Sequence, residues 1–289
     1  MESKDLFRKI HRLEIKTKGL TRQLLSGNYN SAFKGSGMTF SEVREYATGD
    51  EVRTIDWNVT ARYSSPYVKV FDEEREVNIL LLVDVSASTQ FGTTIKSKKE
   101  LAIEMAAVIA FSASLNNDKI GLITFSDKIE RFVPTRKGRK QAHIVVRELI
   151  EHEPSSSGTS IDEALKFLRM TQKKRSVVVL ITDGIDEKGF MDSLRLTKKQ
   201  HDVVVIHITD PGEFTLPSLG FLQLINPETK EVSWFNSSST DQQSWLRNIT
   251  SLHQNNLKLA LKKYGVDYIS CSTEEEVIKP LIHLFQRRS

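Results

Sequence analysis

Four stretches of this chain are almost wholly apolar for five to seven residues, Val77–Val83 (broken by Asn78), Ile120–Phe125 (with Gly121 and Thr124), Val177–Ile181 and Val203–Ile208 (broken by His207). Runs of this length without polar alternation read as strands buried on both faces, as in a parallel sheet. Between them the apolar period lengthens to that of a helix, near 96–115, 138–151, 161–171 and 190–199. In the first of these, Leu101, Met105, Val108, Ser112 and Leu115 form the expected core stripe. Ile129–Val133 reads as an antiparallel partner stopped by Pro134. Phe221–Asn226 and Val232–Phe235 flank Pro227-Glu228-Thr229-Lys230 as a hairpin. A long helix over 240–263, a strand over 266–271 and a helix over 274–287, capped by Thr273 with Glu276 three residues later, close the chain. Strands alternating with helices predict an α/β fold with a doubly wound, mostly parallel sheet and helices on both faces.

The first part of the chain lacks this rhythm. Residues 1–34 carry eight Lys or Arg against three Asp or Glu, and Leu6, Ile10, Leu13, Leu20 and Leu24 fall near helical spacing. A basic amphipathic helix follows, interrupted at Gly19. It serves either as a cover laid over the domain or as a membrane-surface or partner-binding helix; beyond Phe7 it has no aromatic anchor. Gly35-Ser36-Gly37 resembles part of a phosphate loop, but no strand precedes it and the chain has no G-K-[S/T]. Downstream, Arg44, Glu45, Asp50, Arg53, Asp56 and Arg62 mix with Phe40, Tyr46, Ile55 and Trp57. The mixture predicts paired charges and a buried aromatic fastening the segment to the domain, with Asp50 capping a short helix through Trp57. Tyr67 opens an edge strand. The expected division is an extension over 1–74 and an α/β domain over 75–289.

Composition narrows the class. The 39% hydrophobic and 27% charged residues are those of a globular protein with a core. No segment reaches a membrane span of about 18 apolar residues, and the N-terminus lacks the apolar core of a secretory signal. The single Cys271 rules out an internal disulfide, which is compatible with a reducing, cytoplasmic setting. Net charge is +4 and the pI near 9.0, a mild basic balance that chooses no partner.

The chemistry gathers where strands end. After Val77–Val83 come Asp84, Ser86 and Ser88, at the carboxyl edge where open α/β sheets bind ligands. Thr159, in Ser157-Gly158-Thr159-Ser160, precedes a helix, and Asp183 ends the strand Val177–Ile181. These five residues offer two carboxylates and three hydroxyls, a hard-oxygen set suited to Mg²⁺, Mn²⁺ or Ca²⁺ and poorly suited to zinc. Hydroxyls bring no charge, so an ion held by two carboxylates is only just neutralised and attracts an outside anion such as a partner's Asp or Glu. An aspartate followed by serines at a strand end is also an ordinary turn or cap. The two later loops, each at the right junction, favour the cation.

D-V-S-A-S, G-T-S and T-D-G in this order resemble the metal-ion-dependent adhesion site of von Willebrand factor type A domains. That resemblance implies Asp84, Ser86 and Ser88 as ligands from one loop, Thr159 from a second and Asp183 from a third. Ser160 stands where many relatives have Asp, a position not usually a direct ligand. F-S-E-V-R-E-Y-A-T-G-D-E-V-R-T-I-D-W-N-V-T-A-R, just upstream, resembles the bacterial family called domain of unknown function 58, as do the N-P-E-T-K hairpin and Y-G-V-D-Y-I-S-C-S-T. The resemblance runs from about Phe33 to the C-terminus. It implies a metal-dependent adaptor for a protein partner, of which a MoxR-type AAA+ ATPase is one, and no known reaction.

Two other functions fit less of the chain. A metal-dependent hydrolase or phosphotransferase would use the same rim and cation, yet only Glu73, Glu74 and Asp186 offer a base, each equally a solvated charge. Nucleic-acid binding would rest on Arg136-Lys137-Gly138-Arg139-Lys140 and Lys173-Lys174-Arg175, which lack interleaved aromatics; these runs would equally suit an acidic partner. The seven histidines show no metal spacing, His207 reads as a core residue, and Cys271 has no Cys/His neighbourhood. The expectation is a binding module rather than an enzyme.

Overall fold

The computed structural model describes residues 10–15, 37–63, 65–74, 76–186 and 189–288. The chain divides into two compact units, Phe33–Val77 and the remainder. Leu6, Phe7, Gly19, Leu20, Leu24 and the Gly35-Ser36 pair, on which the helix and phosphate-loop expectations rested, lie outside the described residues.

In the smaller unit, β1 (Gly37–Glu45) pairs antiparallel with β2 (Tyr67–Glu74), with a register shift between Phe40 and Glu42. The strand expected from Tyr67 therefore belongs to a two-stranded sheet of its own, not to the edge of the main one. Asp50 caps no helix. Its carboxylate takes both guanidinium nitrogens of Arg44, at 2.7 and 2.8 Å, and the backbone N–H of Ala47. Asp56 caps the turn Trp57–Thr60 instead, accepting from Asn58 and Val59, and pairs with Lys69 at 3.3 Å. These ion pairs close within the segment. Trp57 is 67% exposed, so it is not the buried aromatic expected there.

The larger unit is built on a six-stranded sheet. Its elements run β3 (Asn78–Asp84), α1 (Lys98–Leu115), β4 (Lys119–Phe125), β5 (Ile129–Lys137), α2 (Arg139–Glu151), α3 (Ile161–Thr171) and β6 (Val177–Thr182). They continue with α4 (Met191–Gln200), β7 (Asp202–Thr209), β8 (Phe221–Ile225), β9 (Val232–Asn236), α5 (Thr240–Lys263), β10 (Asp267–Ser272) and α6 (Ile278–Arg288). The strand order is β10-β7-β6-β3-β4-β5, parallel throughout except for β5. The expected doubly wound, mostly parallel α/β sheet is present. Reversal of strand order beside β3 makes that strand's carboxyl end a switch point, the crevice where such sheets seat ligands.

Burial explains the apolar runs. Leu80, Leu81 and Leu82 of β3 are wholly buried, as are Val178, Leu180 and Ile181 of β6. At about 1.5–3 kcal/mol for each such side chain, burying these strands contributes on the scale of the fold's whole margin. Helix α1 is buried well beyond one stripe: Ala102, Ala106, Ala107, Ala110 and Ala113 are as inaccessible as Leu101 and Met105, while Leu115 is exposed. Pro134 does not stop β5. It is tolerated because β5 is the edge strand and Pro134 falls where its register with β4 shifts, between Val133 and Arg136. Thr273 caps no helix either; its hydroxyl donates to Asp210, and α6 begins at Ile278.

Residues 10–15 are helical, with Ile10 buried and Glu14 ion-paired to Arg139 at 2.6 Å. Both basic runs lie at the end of the sheet opposite the carboxyl edge of β3: Lys137 pairs with Lys119 at the start of β4, and Lys173–Arg175 precedes the start of β6.

Candidate metal centre

The β3 ladder delivers Asp84 to the sheet rim, and the next residues turn it inward. Val85 N–H donates to Phe125 O, ending the pairing with β4, and Ala87–Gln90 form a 3₁₀ turn. In that turn Ser86 donates to Asp84 Oδ1 twice, from its N–H at 3.0 Å and its hydroxyl at 2.6 Å. Ser88 Oγ lies 3.0 Å from Ser86 Oγ. All three residues are buried. One loop thus gathers a carboxylate and two hydroxyls into a continuous cluster.

β6 brings the next group. Thr182 Oγ1 donates to Asp84 Oδ2 at 2.7 Å, joining the rim of β6 to that of β3. Asp183 follows, buried, its Oδ1 accepting the N–H of Ile185 at 3.3 Å. The chain then turns through Gly184, whose φ of +74° favours glycine; a Cβ there would lie 2.7 Å from Leu257 Cδ2. Burial pushes the Asp84 carboxyl up to about 7, with the charge of Asp183 adding to the rise. A buried carboxylate that resists ionisation, as Asp84 does, marks a place short of positive charge.

Thr159 is placed by the loop before α3. That loop is tied to the first, because Ala87 N–H donates to Ser157 O at 3.0 Å, and to β4, because Ser160 N–H donates to Ser126 O at 2.8 Å. Ser160 caps α3 with its hydroxyl, which a serine does as well as an aspartate. The Thr159 hydroxyl itself donates to Glu228 Oε1 at 2.7 Å. The structure therefore links Asp84, Ser86 and Ser88 side chain to side chain, brings Asp183 within electrostatic reach of Asp84, and puts Thr159 on an adjoining loop with its proton given to another carboxylate.

Three participants were not visible in the sequence. Lys98, at the first turn of α1 behind the Ser97–Glu100 capping box, is buried, with its ammonium 2.8 Å from Asp183 Oδ2 and 2.6 Å from Glu213 Oε1. Burial alone would lower its pKa, but Asp183 and Glu213 outweigh that and hold it raised and charged. A lysine in a K-S-K-K-E run signals only a solvated helix start. Glu213 sits in a 3₁₀ turn after β7, and Glu228 at the β8–β9 tip.

The remaining candidates are engaged elsewhere. Asp186 accepts the N–H of Ile161 at 2.8 Å, at the start of α3. His207 is buried between Tyr268 Oη at 2.9 Å and the Asp183 carbonyl at 2.8 Å, and burial lowers its pKa to about 4. It is a core residue, as expected, though one that supports the rim. Cys271 is buried and its thiol pushed up to about 12, the burial reinforced by Glu275.

Among the described residues no group of three His, Cys, Asp or Glu is arranged to hold an ion. The donors gathered at the rim are mostly hydroxyls. Asp84, Ser86 and Ser88 with Thr159 and Asp183 are hard oxygens, and Lys98 offsets only part of the carboxylate charge around them. The residues fit a small divalent cation of the Mg²⁺, Mn²⁺ or Ca²⁺ type that keeps some of its waters. Such an ion would supply a Lewis-acidic contact for an incoming oxygen anion.

A family model described as Protein of unknown function DUF58 matches residues 42–253. The uncharacterized protein Rv1480 of Mycobacterium tuberculosis is 28% identical over 278 residues, which cover 96% of this chain and 87% of that one. Among solved structures, an aerotolerance-related membrane protein from Bacteroides fragilis superposes with a TM-score of 0.50 at 18% identity, over 73% of this chain and 99% of that one. The von Willebrand factor A domain of SpRpn10 superposes with a TM-score of 0.42 at 12% identity, over 72% and 94%.

Proposed function

The chain belongs to the DUF58 family, and from that premise we propose that it is a protein-interaction module whose rim cation captures a carboxylate of a partner. The observation that carries this reading is the buried cluster of Asp84, Ser86 and Ser88 at the switch point of the sheet. Asp84, Ser86 and Ser88, with Thr159 and Asp183 from the neighbouring loops, are the proposed ligands, and Mg²⁺ the ion, with Mn²⁺ or Ca²⁺ as substitutes. Lys98 makes the reading sharper. Part of the Asp183 charge is spent on the ammonium, so an ion here is less neutralised than two free carboxylates would leave it. Its attraction for an outside Asp or Glu rises accordingly.

The partner we propose is a MoxR-type AAA+ ATPase, on the strength of the family's resemblance, with this chain as its adaptor. No helix among the described residues is long and apolar enough to cross a membrane. A hydrolytic reading gains nothing from the geometry, since Asp186 is bound to the α3 backbone. Isothermal titration of Mg²⁺ and Mn²⁺ into the wild type and Asp84→Ala tests the site. A pull-down from the native host, with and without chelator, tests the partner. Saturable binding lost in Asp84→Ala, together with a chelator-sensitive ATPase, is the expected result. Equal capture by Asp84→Ala in excess Mg²⁺ would sink the proposal.

A further inference from the structure

The hairpin of β8 and β9 leaves the sheet after β7 and folds its tip back to the rim. The tip is tightly made. Asn226 Oδ1 accepts the N–H of Glu228 at 2.9 Å and of Thr229 at 3.3 Å, and Lys230 takes a φ of +64° to close the turn. The loop before α3 grips this tip at two points. Thr159 Oγ1 donates to the Glu228 carboxylate at 2.7 Å, and Ser157 Oγ donates to the Glu228 carbonyl at 3.2 Å. The half-buried Glu228 is the acid that a solvent-facing turn had no need to place there.

We propose that Glu228 is the site's own carboxylate, seated on Thr159 where a partner's carboxylate would otherwise come. This rests on the cation reading of the rim. A threonine hydroxyl that gives a lone pair to an ion keeps its proton for an acceptor, and Glu228 is already that acceptor. Loading the ion draws this carboxylate in, because it is a negative charge beside an under-neutralised cation. The resting protein is therefore plugged by its own hairpin, and an external carboxylate enters only when the tip lets go. The apparent affinity for a partner is the intrinsic one reduced by the fraction of molecules with the tip released. A partner that also engages the hairpin would relieve the block as it binds. Phe221, Ile225 and Trp234 stand exposed along the same hairpin, 73%, 59% and 69% accessible.

Mn²⁺ reports on this directly through water proton relaxation, since each protein oxygen on the ion excludes a water. Wild type, Glu228→Gln and, as a control on the same hairpin, Glu231→Gln are loaded with Mn²⁺, and sodium acetate is titrated in at constant ionic strength. The expected result is higher relaxivity for Glu228→Gln than for wild type or Glu231→Gln. Acetate then lowers that relaxivity at roughly tenfold lower concentration than in wild type, if about one wild-type molecule in ten is open. Mn²⁺ bound with equal relaxivity and equal acetate response in all three proteins overturns this inference and leaves the cation site standing. No Mn²⁺ bound by any of them overturns the cation site and the inference together.

Discussion

The Lys98 ammonium and the Asp183 carboxylate, 85 residues apart in sequence, form a buried ion pair of 2.8 Å at the rim of the sheet. Removing one member of a buried pair costs far more than the pair contributes, because the other is left charged and dry. Lys98→Met should therefore lose about 3–5 kcal/mol in urea unfolding with chelator present. If the rim holds a cation, millimolar Mg²⁺ should recover part of that loss, since the ion replaces the missing positive charge. Equal stability of Lys98→Met and wild type would contradict the pairing.

Gly184 holds the turn that follows Asp183. At φ +74° with Leu257 Cδ2 only 2.7 Å from any added Cβ, alanine must distort the turn that aims Asp183. Gly184→Ala should lower stability by more than about 1 kcal/mol, read as a shift in the urea midpoint. A neutral or stabilising result would mean that the turn relaxes freely.

Acid should attack a different place. Burial alone would raise the Asp210 carboxyl, but hydrogen bonds from Thr93, Thr273 and Gly212 outweigh it and hold it below the usual range. A depressed carboxyl contributes stability that is complete above the unfolded pKa of about 3.9 and is lost as pH falls through the folded value. Asp210→Asn should flatten this part of the acid limb, with urea midpoints measured from neutral pH downward. A limb as steep as that of the wild type would place the acid sensitivity elsewhere.

The thiol makes a simple probe of the closed fold. Cys271 lies in β10, wholly buried and pushed up to about 12. Reactive thiolate is therefore scarce at neutral pH. Native protein should resist iodoacetamide, and labelling should rise only across the unfolding transition. Prompt labelling of the folded protein would show that β10 opens at the sheet edge.

Much of this was legible along the chain, and the exceptions share a cause. β3, β4, β6 and β7 announce themselves because a strand buried on both faces needs a largely apolar run, whatever its neighbours. The order of Asp84, Ser86, Ser88, Thr159 and Asp183 could be read for the same reason: each follows or precedes a recognisable element. Thr273 caps nothing because its hydroxyl answers a distant partner, Asp210, and Asp50 caps nothing because its carboxylate turns back to Arg44 and the N–H of Ala47. β1 was missed because its pairing with β2 reaches across more than twenty residues. Lys98, Glu213 and Glu228 are charges in polar stretches, where local pattern says only that water is near. The pairing of Lys98 with Glu213 and of Glu228 with Thr159 depends on where α1, the turn after β7 and the hairpin come to rest.

The hydrogen bond from Thr182 to Asp84 spans 98 residues of chain. Closing so long a loop has to be compensated by the packing of two central strands before the oxygens of β3 and β6 can act together. A cation therefore meets the full set of oxygens only in the folded chain. Whatever affinity it has falls wholly on the finished molecule, and saturating it would raise thermal stability by mass action alone. Seen so, the rim is a late-formed readout: only a chain with β3 and β6 already side by side is fit to be bound.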